Sequence, residues 1–586
     1  MRNSNYYEDN QDLQAIFEHF LDRESTVQNY EEGFRDYAEY QKTNNENLAM
    51  APSTVDEAWE YYSELINTYG ELAGKEMAQI AAECDHHGLK FEDGKVTHPE
   101  AAERVFHVFH DAGLPATGFS RRYGGLGISH TIKSLLQEVA YRADTSLSIA
   151  TASVNLASIL EVITDQSFCE EWIPKLIQGK YSATMGLSEP DFGSDLPNLR
   201  TKAELDGDTW RISGTKRYQT MACGMNGMPG VTLCLARTGK PGSGARGLSF
   251  FLVQSKDYEV IGLEHKLGLK ASATCEVSYE ISPGILLGEQ GFGLVKYVMG
   301  MLNGARMSVA CQGTGMTTAA LMEAQDYAES RIQFGRPISE IPVISASLRK
   351  IRRDTNAMRL LMLEGARVVD MYHWRMMHLV QDGKTEREAK RDPQVARGEL
   401  LANLFTPLAK YYVAEVSNKR IYDALQVFGG AGFVEDYDLA RIYRDARIMP
   451  VYDGTSQIQV NAAIGPLLNG FTRGGWLKEL LLSDLESMPS AEKGWFTELT
   501  EELEKLCELY VSYDKETREK IAVELIHTAA QTIASRQYFL AAAKIPGNLG
   551  QEFAEMAGEY LWDSLGEARL ARHKVENPAM APVAAG

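Results

Sequence analysis

Cysteine is sparse in this chain: seven in 586 residues, Cys84, Cys169, Cys223, Cys234, Cys275, Cys311 and Cys507, an odd number with no C-x-x-C pair. Such scatter excludes a disulfide framework and a cysteine-based zinc site, and it fits a reducing compartment, so a cytoplasmic protein is expected. Basic charge is in deficit, with 59 Lys and Arg against 80 Asp and Glu and a formal charge of -21. A surface of that sign repels a phosphate backbone, and no nucleic-acid partner is expected. We find no uncharged run of about 18 apolar residues and no apolar core after Arg2, so we expect neither a membrane span nor a signal peptide. G-x-S-x-G elbows and P-loops are missing. The pairs His86/His87 and His107/His110 lack the Cys or carboxylate neighbours that would complete a metal site, and none is expected.

What is present is an ordinary globular composition, 44% hydrophobic and 24% charged, on a chain too long for one core, since cores divide beyond about 250–300 residues. Residues 1–53 form a helical extension in which Leu13, Ile16, Phe17 and Phe20 recur at helical spacing. Residues 54–183 read as a helical domain and residues 184–290 as an antiparallel β domain, its clearest strands at 209–220, 231–236, 247–253 and 274–280. A helical bundle follows over 291–468, with long helices near 294–331, 342–377 and 397–428, and an additional helical domain over 469–586. The fold class is therefore mostly α with a central β module; strands grouped between helical blocks argue against a parallel βαβ sheet. Gly242-Ser-Gly-Ala-Arg-Gly247 satisfies G-x-G-x-x-G, but a strand follows it instead of a helix, so these glycines turn a hairpin and do not cradle a pyrophosphate.

Four segments carry chemistry. In Leu187-Ser-Glu-Pro-Asp-Phe-Gly-Ser-Asp195, Pro190 and Gly193 force a loop off a strand end, exposing backbone amides and the Ser188 hydroxyl. In Gly214-Thr-Lys-Arg-Tyr-Gln-Thr220, period-two alternation places Tyr218 and Thr220 on one face. In Glu329-Ser-Arg-Ile-Gln-Phe-Gly-Arg-Pro337, Gly335 and Pro337 stop a long helix and leave Arg331 in its last turn. The fourth joins Gln426-Val-Phe-Gly-Gly-Ala-Gly-Phe433 to the stretch from Tyr443 to Gln459, where Gly454 lets the backbone turn sharply beside Asp453.

In order and spacing, over about residues 100–465, these segments resemble the acyl-CoA dehydrogenase family, with its S-E-P-x-x-G-S-D, G-x-K-x-[WY]-I-T and R-x-x-F-G signatures. The resemblance implies FAD as cofactor, an acyl-CoA thioester as substrate, an electron-transfer flavoprotein as acceptor and a homodimer. It assigns Leu187, Ser188, Gly193, Ser194, Tyr218, Thr220, Thr455 and Gln457 to the FAD of the same subunit, and Arg331, Phe334, Gln426 and Gly430 to that of a partner subunit. Substrate contacts fall to Ser194, Arg306, Tyr452 and Gly454, and the base that removes the α-proton to Asp453, with the β-hydride passing to FAD.

Three positions depart from the family pattern. Most members carry Glu where this chain has Asp453; some carry Glu just before the equivalent of Arg306, where this chain has Ala305; many carry Gln where it has Pro342. An Asp base is one methylene shorter, and a misplacement of about 1 Å can cost on the order of a hundredfold in rate, so the substrate must sit nearer or the loop must advance. Within the family Asp occurs in dehydrogenases of alicyclic thioesters and in nitroalkane-oxidising relatives, which leaves a nitroalkane oxidase-like flavoenzyme as an alternative, alongside a non-catalytic flavin-binding scaffold. The added terminal segments resemble those of a long bacterial subgroup acting on methylthiopropionyl-CoA and long-chain thioesters. There the extra domain is expected to cover surface otherwise used to build a tetramer.

Overall fold

The computed structural model describes residues 4–472, 475–483 and 485–578; residues 1–3 and 579–586 of the expected terminal segments lie outside that set. The chain divides into two compact units, residues up to 6 with 30–304, and residues 7–29 with 305–586.

In the first unit the helix Val55–Leu72 starts where the Thr54 side chain accepts the Glu57 N–H, and it buries Trp59, Tyr62, Leu65, Ile66 and Tyr69 along one face. A π-turn, Ala73–Met77, carries it into the helix Ala78–His87. A short hairpin, Lys90–Glu92 against Lys95–Thr97, was not expected. Its signal was Asp93-Gly94, both at positive φ (49° and 75°), the pair that closes a two-residue turn. The helix His130–Ala143 begins with Ser129 as cap, its side chain accepting the Ile132 N–H.

Among the described residues Thr145–Ile163 is long and apolar enough, by length and hydropathy, to cross a membrane, although Glu161 keeps it from being an uncharged run. It folds as a broken helix, Thr145–Ala152, Ser153–Ile159 and Leu160–Ile163, more than half buried.

The β module is a seven-stranded sheet. Strands Thr209–Thr220 and Thr274–Leu287 form its long antiparallel pair, and Gly230–Arg237 pairs antiparallel with Leu248–Gln254, so residues 238–247 do turn a hairpin. The sheet is not wholly antiparallel, since Ser182–Gly186 lies parallel to Gly230–Arg237. Two apolar clusters sandwich it, one around Phe119, Trp172, Leu233 and Phe250, the other around Ile212, Phe251, Cys275 and Tyr279. Residues 30–43 are tied down by Arg121, which is buried and donates to the carboxylates of Glu31 (2.9 and 3.2 Å) and Asp36 (2.7 Å) and to the Gly127 carbonyl.

The second unit is helical among its described residues apart from a two-residue ribbon, Ile332–Gln333 with Arg336–Pro337. Pro342–Gln381 and Pro393–Phe428 run side by side around Val309, Met316, Ile351, Ala414 and Ile421. Ser490–Ser512, Lys515–Lys544 and Gly547–Glu576 form the additional helical piece, and Gly547–Glu576 meets Pro342–Gln381 through arginines: Arg349 to Glu555 and Glu559, Arg352 to Glu552, Arg353 to Asp563. Residues 7–29 join the same layer. Leu13, Ile16 and Phe17 are buried, and Asp12 receives both Arg352 and Asn356.

Candidate active site

Each unit positions one set of the residues singled out from the sequence. In the first, the strand Ser182–Gly186 ends just before Leu187, and the chain folds over a tight turn in which the Glu189 and Phe192 backbones exchange hydrogen bonds (2.9 and 3.1 Å). The fully buried Lys216 ammonium fixes this turn by donating to the Leu187 carbonyl (2.9 Å) and to Glu189 Oε1 (3.0 Å). Glu189 also accepts the backbone N–H groups of Arg200 (2.7 Å) and Thr201 (2.9 Å). Burial disfavours its charge, but the ammonium and these donors prevail and hold its pKa below the ordinary glutamate value.

The strict alternation expected through Tyr218 and Thr220 is interrupted. A bulge sets Arg217 and Tyr218 against one residue of the partner strand, with Tyr218 at φ 63°. The Arg217 N–H, released from the ladder, donates to the Ser188 carbonyl (2.9 Å) and ties the turn to the strand. The Tyr218 ring is 57% exposed with the Arg217 guanidinium 5.0 Å from its centroid, and Glu264 holds that guanidinium at 2.6 and 3.1 Å. Gly193 and Ser194 are exposed, and a Cβ at Gly193 would meet nothing within 4 Å. An exposed aromatic ring, the hydroxyls of Ser188 and Thr220, and open backbone at Gly193 fit a planar ring system with a polar rim, as FAD has.

In the second unit the loop between the helices Asp438–Ala446 and Ser456–Thr472 carries Asp453 and Gly454 in consecutive left-handed conformations, φ 50° and 84°. For aspartate that geometry is strained, and it persists only where the surroundings impose it. Two side chains do so. Lys410, fully buried on the helix Pro393–Phe428, donates to the carbonyls of Met449 (2.8 Å) and Gly454 (2.6 Å). Gln459 Nε2 donates to those of Asp453 (3.0 Å) and Gly454 (3.2 Å). Thr455 Oγ1 accepts the Ile458 N–H (3.3 Å), and the Ser456 hydroxyl bonds Glu415. Solvent reaches the Asp453 side chain, yet protein crowds its carboxyl enough that desolvation raises its pKa, with the Lys410 charge opposing. Arg306 is buried, and desolvation lowers its pKa to about 10. The Tyr452 hydroxyl donates to Gln312 Oε1.

The remaining residues gather elsewhere on this unit. The helix Met299–Ser330 stops just before Arg331, and Phe334 and Gly335 turn the ribbon that follows at positive φ. A Tyr327–Phe428 stack, 4.2 Å between centroids, pins this helix end to that of Pro393–Phe428, grouping Arg331 and Phe334 with Gln426 and Gly430. Phe334 is 93% and Phe433 88% exposed. No group of three His, Cys, Asp or Glu suited to a metal occurs among the described residues. Sequence reasoning missed Lys410 and Gln459 altogether and passed over Lys216 as a structural residue. The one available signal was that Lys410 is the sole charge between Glu399 and Glu415.

Comparison with known proteins identifies this framework. Three family models match in series: the acyl-CoA dehydrogenase N-terminal domain over residues 60–180, middle domain over 184–281 and C-terminal domain over 291–464. The 3-methylmercaptopropionyl-CoA dehydrogenase of Ruegeria pomeroyi is 32% identical over 447 residues, covering 72% of this chain and 74% of that one. The cyclohexane-1-carbonyl-CoA dehydrogenase of Syntrophus aciditrophicus is 29% identical over 397 residues, 65% of this chain and 90% of that one. Among solved structures, an acyl-CoA dehydrogenase from Bacillus anthracis complexed with FAD superposes with a TM-score of 0.73 at 22% identity, covering 90% of this chain and 89% of that one.

Proposed function

Because the chain belongs to the acyl-CoA dehydrogenase family of FAD-dependent oxidoreductases, we propose that it desaturates an acyl-CoA thioester between the α and β carbons, with Asp453 as the base. The observation that carries this reading is the state of Asp453: a carboxyl raised in pKa by desolvation, on a strained left-handed turn latched by two buried side chains. Backbone strain and a desolvated carboxyl of this kind persist where chemistry needs them. A raised pKa also matches the acid better to a weakly acidic α-proton near neutrality.

FAD, when bound, supplies the two-electron acceptor for the β-hydride. By the family resemblance, Leu187, Ser188, Gly193, Ser194, Tyr218, Thr220, Thr455 and Gln457 would hold it from one subunit, and Arg331, Phe334, Gln426 and Gly430 from the other. Asp453 takes the α-proton as the double bond forms between Cα and Cβ. The Asp453 backbone N–H offers a hydrogen bond to the thioester oxygen, where negative charge develops. Ser194, Arg306, Tyr452 and Gly454 orient the thioester. Exposure of Phe334 and Phe433 supports a homodimer in which these rings are covered. An electron-transfer flavoprotein is the reoxidant, and the cytoplasm the compartment.

The test is anaerobic bleaching of bound FAD by a thioester panel that includes 3-methylmercaptopropionyl-CoA, butyryl-CoA and cyclohexane-1-carbonyl-CoA. Asp453→Asn is expected to slow bleaching by about 10²–10⁴-fold, the range for a positioned base. An unchanged rate removes Asp453 from the mechanism. Oxygen consumption with nitroethane and no bleaching by any thioester supports the nitroalkane oxidase alternative, and tight thioester binding without bleaching supports the scaffold.

A further inference from the structure

The mechanism does not by itself account for the buried charge of Lys410. Lys410 sits at 0% exposure in an otherwise apolar stretch of the helix Pro393–Phe428. An ammonium there is expensive, since desolvating an ion costs several kcal/mol unless good geometry repays it, and an apolar side chain of similar volume would fill the space at less cost. What the ammonium gains is specific. Two of its N–H groups hold the carbonyls of Met449 (2.8 Å) and Gly454 (2.6 Å), on either side of Asp453. The Gly454 carbonyl takes a second donor from Gln459, so the peptide that sets the left-handed turn cannot rotate without breaking two bonds.

We infer that Lys410 is a positioning residue for the proposed base: it locks the turn that aims Asp453 and supplies a positive charge that favours the carboxylate form of that side chain. This rests on Asp453 being the base. Burial disfavours the ammonium most, and the charge of Arg306 adds to it; Asp453 and Glu415 favour the ammonium but are outweighed, and the lysine comes down to about 8. Its field in turn lowers the Asp453 pKa against the desolvation that raises it. Lys410 therefore limits how far the base drifts towards the neutral form, in which it can accept nothing. As the pH passes about 8 the charge is lost, and the two charge-assisted bonds fall to roughly half their strength.

The experiment uses the FAD-loaded enzyme in two readouts. The first is an infrared titration of the Asp453 carboxyl without substrate, its band identified by its loss in Asp453→Asn. In Lys410→Met this titration is expected at higher pH than in the unmodified protein. The second is the pH profile of flavin bleaching by whichever thioester of the panel reacts fastest. Lys410→Met is expected to lose about a hundredfold in maximal rate, with the acid limb displaced upwards, as for a base held off its productive position. Lys410→Arg, which keeps charge and donors, is expected to restore the carboxyl titration towards its original place. Should Lys410→Met fail to fold, the unmodified enzyme still decides the matter: its bleaching rate is expected to fall above pH about 8. A carboxyl titration unmoved in Lys410→Met, with bleaching within about threefold of normal, overturns the inference, and so does a rate that stays flat from about pH 7 to 10. If Asp453→Asn bleaches normally the base assignment has failed; if it is dead while Lys410→Met is normal, only the role of Lys410 has.

Discussion

Replacing Asp12 by alanine tests whether the amino-terminal segment is an integral part of the helical unit. Asp12 is 9% exposed and accepts from Arg352 Nε (2.8 Å), Arg352 Nη2 (2.7 Å) and Asn356 Nδ2 (2.8 Å). Hydrogen bonds to charged groups contribute about 1.5–3 kcal/mol each. The full sum does not apply, because Arg352 keeps Glu552 at 2.9 Å and its side chain is 28% exposed, so water recovers part of what is lost. An expected cost of about 2–4 kcal/mol remains. Every 1.4 kcal/mol is tenfold in an equilibrium, so backbone amides in residues 11–20 are expected to exchange with deuterium about 30- to 1000-fold faster in Asp12→Ala, while those of the β module are unaffected. Arg352 and Asn356 hold the Asp12 pKa below its ordinary value despite burial. The stabilisation is therefore complete above the unfolded aspartate pKa of about 3.9 and is lost as the pH falls through the lower folded value. A difference between the two proteins that narrows already between about pH 8 and 6, or exchange altered by less than about threefold, refutes the reasoning.

Two further substitutions probe the site from either unit. Lys216→Met leaves the Glu189 carboxylate buried without its ammonium, at an expected cost of about 3–5 kcal/mol; a thermal transition lowered by several degrees and loss of FAD on gel filtration check it, and a protein that keeps both refutes it. Gly454→Ala places a Cβ 2.5 Å from Gln459 Nε2 at φ 84°. Strain of about 1–2 kcal/mol and displacement of that latch are expected to slow flavin bleaching about 10- to 100-fold with FAD still bound, and an unchanged rate would show that the turn tolerates distortion.

How much of this was legible in the sequence depends on the range of the interaction that fixes each feature. Periodicity found the helices Pro342–Gln381 and Pro393–Phe428 and the strand Thr209–Thr220 within a few residues, because burial of one face is written at short spacing. The bulge at Arg217–Tyr218 and the π-turn Ala73–Met77 were not legible, since one extra residue in a ladder or a helix turn leaves the local pattern almost unchanged. Pairings such as Asp12 with Arg352, 340 residues apart, leave no local trace at all.

The same limit explains why the sequence disclosed the proposed acid and hid what holds it. Asp453-Gly454 announces itself, because a glycine beside a carboxylate marks a sharp turn that must serve some purpose. Lys410 lies 43 residues earlier in a helix and meets that turn through backbone carbonyls, which carry no residue identity, so no pairing of side-chain types could have pointed to it. Its only mark was to be the lone charge in an apolar stretch. A buried ion without a sequence partner is costly unless the fold brings it one. A lone Lys within a long apolar helical run therefore directs attention to the backbone of whatever loop packs against it, and here that loop carries the proposed base.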